Sequence, residues 1–368
     1  MSFLQKINLT LLDRYIIRKY LGTFSFVVLI FTMIACVIDY SEKADAFKKQ
    51  NLKFGEIVSD YIIYFIPHIN MLLLPLYALI TVIFFTSRMA YNSEIIAIFN
   101  AGVSFKRLIR PYMVSAGIIA SFHLFFNHIL VPKANKERTD FEARYIDSNR
   151  DRGKTENVNM FVDPNTKVYI GYFRKNDSTA RSFRIERYDN NILKSVLKAE
   201  NANWLRAPNI WRLQNWQKRT FDGLRETIEV NSGAIDTAVN VFPEDFVRYS
   251  NQNEIFTTAE LQHEIKKLVQ RGTGNTKSYE IEISRRTADP FTIIILTLIG
   301  MSIAARKVRG GIGFHLALGI GLGAIFIFLS KFSVTFATQP NIPAYVGVWI
   351  PNIIFAGVAW YLVANAQK

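Results

Sequence analysis

The chain has 368 residues, half of them apolar, and a formal charge of +14 from 44 Lys and Arg against 30 Asp and Glu. Its single cysteine, Cys36, excludes an intrachain disulfide framework and a cysteine-based metal site, and His68, His123, His128, His263 and His315 lack HExxH or similar spacing, which argues against zinc. A basic balance fits either nucleic acid or membrane topology, and the placement of the charges decides between them.

In chain order, Leu11-Leu12-Asp13-Arg14-Tyr15-Ile16-Ile17-Arg18 suits an interfacial helix leading into a first apolar span. Met33-Ile34-Ala35-Cys36 looks like a lipoprotein processing site, but the residues before it are too many and too amphipathic for a signal peptide. Spans long enough for a bilayer, which takes about 20 apolar residues, are predicted near 19–40, 57–88, 107–131, 284–305, 311–337 and 345–365. The second holds Pro67 and Pro75, so a kinked or tilted helix is expected there. Between the second and third spans, NSEIIAIFNAGVSF (92–105) is too short and too polar to cross, and its 92–101 part reads as a separate helix ending at Ala101-Gly102.

Lys6, Arg14, Arg18 and Lys19 precede span one, Arg88, Lys106, Arg107 and Arg110 flank the 92–105 loop, Arg306, Lys307 and Arg309 separate spans four and five, and Lys368 ends the chain. Only Asp13 and Glu94 oppose them, whereas the alternate loops are balanced (Lys43, Lys48, Lys49 and Lys53 against Asp39, Glu42, Asp45 and Glu56) or uncharged, as near Gln339 to Ala344. The positive-inside rule places both termini in the cytoplasm and accounts for much of the basic excess without nucleic acid.

The chain thus divides into an N-terminal membrane half (1–131), an extracytoplasmic domain (132–280) and a C-terminal membrane half (281–368). In the middle part 167–173, 182–189, 210–221 and 225–235 alternate and are separated by turn residues, the pattern of antiparallel strands in a sandwich or open barrel. A helix is expected over 257–271, capped by Thr257 or Thr258, with Gly272-Thr273-Gly274-Asn275 as a hinge into span four. GTGNTKS (272–278) is no phosphate loop, since it lacks the Gly before Lys277 and follows a helix. With no GxSxG or SxxK motif either, nothing points to an enzyme, and no cofactor is expected on this chain.

This layout, a six-helix α-helical membrane protein in two groups of three with an inserted all-β domain, resembles the LptF/LptG permeases, the membrane subunits of the lipopolysaccharide-extracting ABC transporter. The resemblance covers nearly the whole chain and rests on LDRYI (12–16), VIDYSEK (37–43), NSEIIAIFNAGVS (92–104) and NIPAYVGVWIP (341–351), which resemble the LptG branch most, with LptF, of the same fold, as the close alternative. It implies an inner-membrane subunit with a jellyroll-like periplasmic domain, paired with an LptF-like permease around a lipid-holding cavity. It also implies ATP and Mg on two LptB-like ATPase subunits, and LptC- or LptA-like proteins and lipopolysaccharide as further partners. The position near the end of span one where that family carries a lipid-contacting basic residue falls at or beside Cys36, so the resemblance supports no lipid contact there.

On this reading 92–105 is the coupling helix, and Ser93, Glu94, Ile95, Ile98, Ala101 and Gly102 are the expected contacts to the ATPase. Glu94 either meets a basic group on that partner or merely complements the helix dipole. Ile95, Ile96, Ile98 and Phe99 either pack on the protein's own spans or fill a partner groove. Lipid headgroups are expected at Lys43, Asp39, Lys331, Arg285 and Arg286, against the plainer readings of Lys43 pairing with Asp39, Lys331 snorkelling and the arginines anchoring span four. His68 is expected to be packed and not a proton relay, and Gly319 and Gly323 permit close helix contact, within the subunit or across to another. A membrane-anchored envelope scaffold without transport is the rival function, but it has no need of the 92–105 helix.

Overall fold

The computed structural model describes residues 10–146, 156–174, 177–206, 210–243, 252–270, 276–306, 311–339 and 341–366. The proposed hinge 272–275, Lys6, Lys307, Arg309 and Lys368 lie outside the described residues. The chain divides into a helical unit (1–146, 254–258 and 277–368) and a sheet unit (147–253 and 259–276).

The helical unit starts where Thr10 caps α1 (Leu11–Lys49): Thr10 accepts from the Asp13 amide, and the Asp13 carboxylate accepts from the Thr10 amide. The interfacial stretch and the first span are therefore one continuous helix of 39 residues. A short helix α2 (Phe54–Ile57) and a π-helical turn (Val58–Ile62) lead into α3 (Ile63–Tyr91), which keeps Pro67 and Pro75 inside it. After α4 (Glu94–Asn100), helix α5 (Phe105–Phe141) runs past the apolar residues into polar ones and ends in a second π-helical turn (Glu142–Ile146). The C-terminal half is α8 (Lys277–Ala304), α9 (Gly311–Ala337) and α10 (Ala344–Ala364). Among the described residues, six helical stretches are long and apolar enough to cross a membrane.

The main core joins Ile16 and Tyr20 of α1 to Ala78, Leu79, Val82 and Ile83 of α3, Tyr112 of α5, and Ile293 and Ile299 of α8. The Tyr20 ring lies 6.2 Å from that of Phe85 and 6.1 Å from that of Tyr112, and its hydroxyl shares a hydrogen bond of 3.1 Å with Thr297. A polar tip that finds a partner lets a large aromatic fill an apolar centre. By contrast, only 6% of the most apolar window of α1 is buried by the rest of the chain.

Close approach of helices is set by glycines. A Cβ at Gly319 would stand 2.1 Å from Ile83 Cδ1 and one at Gly323 2.7 Å from Leu76 Cδ1, so both pack α9 onto α3 within this chain. Gly300 does the same for α8, with Val82 Cγ1 at 2.4 Å, and Gly347 of α10 faces the Ala337 Cβ at 2.5 Å. Neither was singled out by the Gly-xxx-Gly spacing.

The sheet unit is a single antiparallel sheet in sequential order: β1 (Glu156–Asp163), β2 (Thr166–Arg174), β3 (Thr179–Asp189), β4 (Ile192–Arg206), β5 (Ile210–Asp222) and β6 (Arg225–Ala238). Asn190 and Asn191, both with positive φ (47° and 65°), form the two-residue turn between β3 and β4. A line of interrupted pairing crosses the strands at Asn157, Gly171, Ser182, Glu200 and Asn215. Asn157, Ser182 and Asn215 have φ of 50°, 51° and 54° in the order Asn157, Asn215, Ser182, and a Cβ on Gly171 would come 2.8 Å from the Ser182 Cβ. Of these positions, the register shifts only at Asn215 against β6, a bulge of the kind that sharpens a sheet's twist and bend. One face is filled by Val168, Ile170, Phe183, Ile185 and Trp211; the Trp211 ring lies 5.5 Å from that of Phe183, and its Nε1 donates to the Val241 carbonyl at 3.0 Å. α6 (Gln252–Ile255) and α7 (Thr258–Gln270) follow, the latter burying Leu261 and Leu268.

Gly300→Ala should destabilise the helical unit by about 1–3 kcal/mol, because Val82 is β-branched and cannot swing away. Gly321→Ala, with nothing within 4 Å of the added carbon, should be neutral or stabilising; thermal unfolding of the two variants in detergent measures the difference.

Candidate functional site

The turn between α3 and α4 is made by Ser93 in the left-handed region (φ 61°), and Gly102 (φ 83°) closes the other end of α4. Ser104 then caps α5, accepting from the Arg107 amide at 3.3 Å. α4 is a short helix clamped between two long ones, and its faces are sharply different. Ile95 is 1% exposed and belongs to the main core with Ile16 and Phe105, while Ile98 and Phe99 pack partly against it. Ile96 is 40% exposed, and Ser93, Ala97, Asn100, Ala101 and Gly102 are also exposed.

Ile95 is therefore corrected: it offers no surface to another chain, and the outward isoleucine is Ile96. Ser93, Ala101 and Gly102 stand on the open side, with Ile98 at the boundary. Glu94 accepts a hydrogen bond from Tyr15 Oη at 2.8 Å and lies 3.3 Å from Lys19 Nζ, so its carboxylate already has partners within the chain. Burial works against the charge on Glu94, but the Tyr15 hydroxyl and the Lys19 ammonium outweigh it and hold the carboxyl below the usual glutamate range. The contribution of this contact is thus complete above the ordinary glutamate pKa and fades only as pH falls through the lowered value.

At the other end of the bundle Lys43 is enclosed. Its ammonium lies 2.7 Å from Asp39 and 2.9 Å from Glu142, contacts the Tyr61 hydroxyl, and sits 4.7 Å from the centre of the Tyr61 ring. Tyr61 donates to Asp39 at 2.8 Å, and Arg138 pairs with Glu142 at 3.2 Å. Tyr61 and Glu142 each come from one of the π-helical turns, whose extra residue re-aims side chains. Lys43 and Asp39, both partly exposed, are members of this internal network, in which the two pair with each other.

Arg286 is likewise corrected. It is 1% exposed, and its Nε donates to Glu282 at 2.9 Å, which leaves nothing for a lipid to touch. Arg285, one residue on, turns to a cavity of about 230 Å3 between α3, α8 and α9. Apolar Leu72, Leu76, Leu296 and Phe326 line its wall, while Arg285, Asp289 and the exposed Lys331 supply charge. Arg285 lies 3.5 Å from Glu282 and 3.9 Å from Asp289. The cavity is thus mostly apolar with a few charged groups on its lining, the usual make-up of a ligand pocket. His68 lines a smaller cavity of about 30 Å3 together with Asn135, Arg285 and Asp289. Asp289 and Glu282 were missed in the sequence, although Glu282–Arg286 and Arg285–Asp289 both have the helical i,i+4 spacing that signals a pair.

Residues 14–365 match the model of the lipopolysaccharide export system permease LptF/LptG family. The chain belongs to this family. It is also 20% identical over 363 residues to the lipopolysaccharide export system permease protein LptG of Haemophilus influenzae, covering 97% of this chain and 99% of that protein. The family membership makes the chain a permease subunit of lipopolysaccharide export, and it spans both helical halves and the sheet between them. LDRYI, VIDYSEK and NSEIIAIFNAGVS thus take their places on the start of α1, its far end and α4.

Removing one partner of a buried pair strands the other charge, which costs about 3–5 kcal/mol. Arg286→Met should therefore unfold the helical unit at clearly lower temperature, and adding Glu282→Leu should recover much of the loss. Thermal unfolding of the single and double variants tests this.

Proposed function

We propose that the chain is the LptG-like transmembrane subunit of an ABC exporter that extracts lipopolysaccharide from the bacterial inner membrane and passes it towards a periplasmic bridge. ATP and Mg are bound and hydrolysed on a separate pair of LptB-like cytoplasmic subunits, and an LptF-like permease completes the lipid cavity. The termini and α4 face the cytoplasm and the sheet unit faces the periplasm, where LptC- or LptA-like proteins receive the cargo. The basic residues Arg14, Arg18, Arg88, Lys106 and Arg110, grouped near the ends that carry α4, support that orientation.

The observation that carries this reading is α4 itself. A seven-residue helix with Ile95 driven into the core and Ile96 and Ala97 left bare is a rigid knob held at the end of a bundle. Such a knob suits a groove on a partner that moves. Lys331 and Arg285 are the headgroup contacts in this reading, because they border an apolar cavity and a phosphorylated lipid needs both features. An LptF-like place in the same heterodimer is the second reading, since the family description covers both subunits.

Ala97→Arg, on the bare face, should reduce co-purification with the ATPase subunits and the ATPase activity of the membrane complex by about tenfold or more. Unchanged assembly and activity would remove α4 from the contact. A photoreactive amino acid at position 331 should capture lipopolysaccharide in proteoliposomes, and one at buried position 286 should not; equal or absent labelling at both would overturn the headgroup role of Lys331.

A further inference from the structure

The sheet unit carries a cavity of its own, with a volume of about 370 Å3 and a lining drawn from β2, β3, β4 and β5. That size falls within the range of small-molecule pockets, about 300–1,000 Å3. The strand register explains its wall. Tyr169 pairs with Arg184, Arg184 with Lys198 and Lys198 with Gln217, so these side chains stand in one row across the strands. Val168, Ile170 and Ile185, the neighbours of that row along β2 and β3, point to the opposite, apolar face. The row therefore lies on the polar face of the sheet. Beside it the backbone takes the left-handed region at Ser182 (φ 54°) and Asn215 (φ 51°), and β5 shifts register against β6 at Asn215. These irregular positions bend the strands and leave a trough between the side chains.

One pairing in the row is unfavourable by itself. Arg184 and Lys198 face each other directly, and like charges at facing positions repel. A local rule broken without a structural gain marks a place where function decides. Arg184 is held in position: its Cζ lies 4.9 Å over the Tyr169 ring, and its Nε lies 2.9 Å from Glu186 Oε1. Those contacts fix the plane of the guanidinium, whose terminal nitrogens form a fork for phosphate oxygens. Glu186 offsets the charge of Arg184, which leaves Lys198 as the excess. Lys198 is exposed, and among the described residues it has no acidic partner. The rest of the lining is of another kind. Asn215 Nδ2 donates to the Glu200 carboxylate at 2.8 Å, and Gln217 stands next to Lys198 in the row. Amides and a carboxylate donate to and accept from hydroxyl groups, and the carboxylate disfavours a bare anion.

We infer that this cavity binds a phosphorylated sugar, with Arg184 and Lys198 on the phosphate and Glu200, Asn215 and Gln217 on the hydroxyls. Because the site lies on the face opposite to the apolar filling of the sheet, it takes a saccharide and no acyl chain. Two sources offer this chemistry: the sugar part of an exported lipopolysaccharide, and a soluble sugar phosphate. The first source rests on the proposed export function, whereas the site itself does not.

The test is equilibrium dialysis of the full-length protein in detergent against three probes: the deacylated, phosphorylated oligosaccharide of lipopolysaccharide, glucosamine 6-phosphate and inorganic phosphate. At least one phosphosugar should bind about tenfold or more tightly than inorganic phosphate, the scale of one or two added hydrogen bonds. Lys198→Glu should weaken that binding by about tenfold or more, the effect of losing one charge-assisted contact. Lys194→Glu makes the same charge change at an exposed position of β4 outside the cavity. It should stay within about twofold of the wild type, because a more distant exposed charge is largely screened by salt. No loss in Lys198→Glu, or an equal loss in both variants, would overturn the inference. Inorganic phosphate binding as tightly as both sugars would also overturn it, since an anion site would then remain without sugar recognition. Tighter binding of the oligosaccharide assigns the site to the exported lipid, and equal binding of glucosamine 6-phosphate assigns it to soluble sugar phosphates. If position 331 captures no lipopolysaccharide while these results hold, the headgroup reading of the helical unit fails and the sugar site stands.

Discussion

A charge among apolar helices must find a counter-charge or reach water, and that requirement organises this helical bundle. Asp13 meets Arg107, Lys43 meets Asp39 and Glu142, and Arg286 meets Glu282. The Asp13 and Lys43 pairings lie towards the two ends of α1, and each ties α1 to another helix. Between them the packing is made by rings and by missing side chains: Tyr20 against Phe85 and Tyr112, and Gly300 and Gly319 against α3. The arrangement fits the physics of a bilayer, where burial of apolar surface against lipid gives helices little reason to associate and specific polar and close-packed contacts decide.

The basic residues of the bundle nevertheless differ in their surroundings. Lys43, Arg286 and Arg285 all have acidic neighbours in the same chain, with Arg286 the one that is fully buried. Arg285 and Lys331 border a cavity whose remaining lining is mostly apolar, with Asp289, Thr292 and Ser330 among it. Sequence position alone ranks these four alike, because each is a basic residue near the end of an apolar run. For Lys43 the deciding side chains come from the two π-helical turns; for Arg285 and Arg286 they are Glu282 and Asp289 of the same helix.

The spans were legible because a run of apolar residues as long as a bilayer is thick has few other uses, and the family signatures ran in the right order along them. The helix ends were less so: α5 continues through Lys133 to Phe141, where pairing such as that of Arg138 with Glu142 replaces hydropathy as the reason to stay helical. In the sheet, β2, β3, β5 and β6 were readable from alternation. β1 and β4 were not, since β4 turns Ala199 and Ala202 inward among asparagines and gives no alternating apolar signal. Glu94 stood out as a lone acid in a basic loop. Its partners Tyr15 and Lys19 did not, because no local pattern announces a contact made across 75 or more residues.

The unbroken length of α1 has one more consequence. A helix of 39 residues is about 58 Å long at 1.5 Å per residue, so it is a lever as well as a span. A tilt of about 10° about its midpoint would swing each end by about 5 Å, nearly one helical pitch. Asp13 and Lys19 ride on one arm of that lever, and Lys43 on the other. The network of Tyr61, Glu142 and Arg138 around Lys43 holds the far end of that length, so any tilt of α1 must be taken up by those pairings as well as by Asp13 and Arg107.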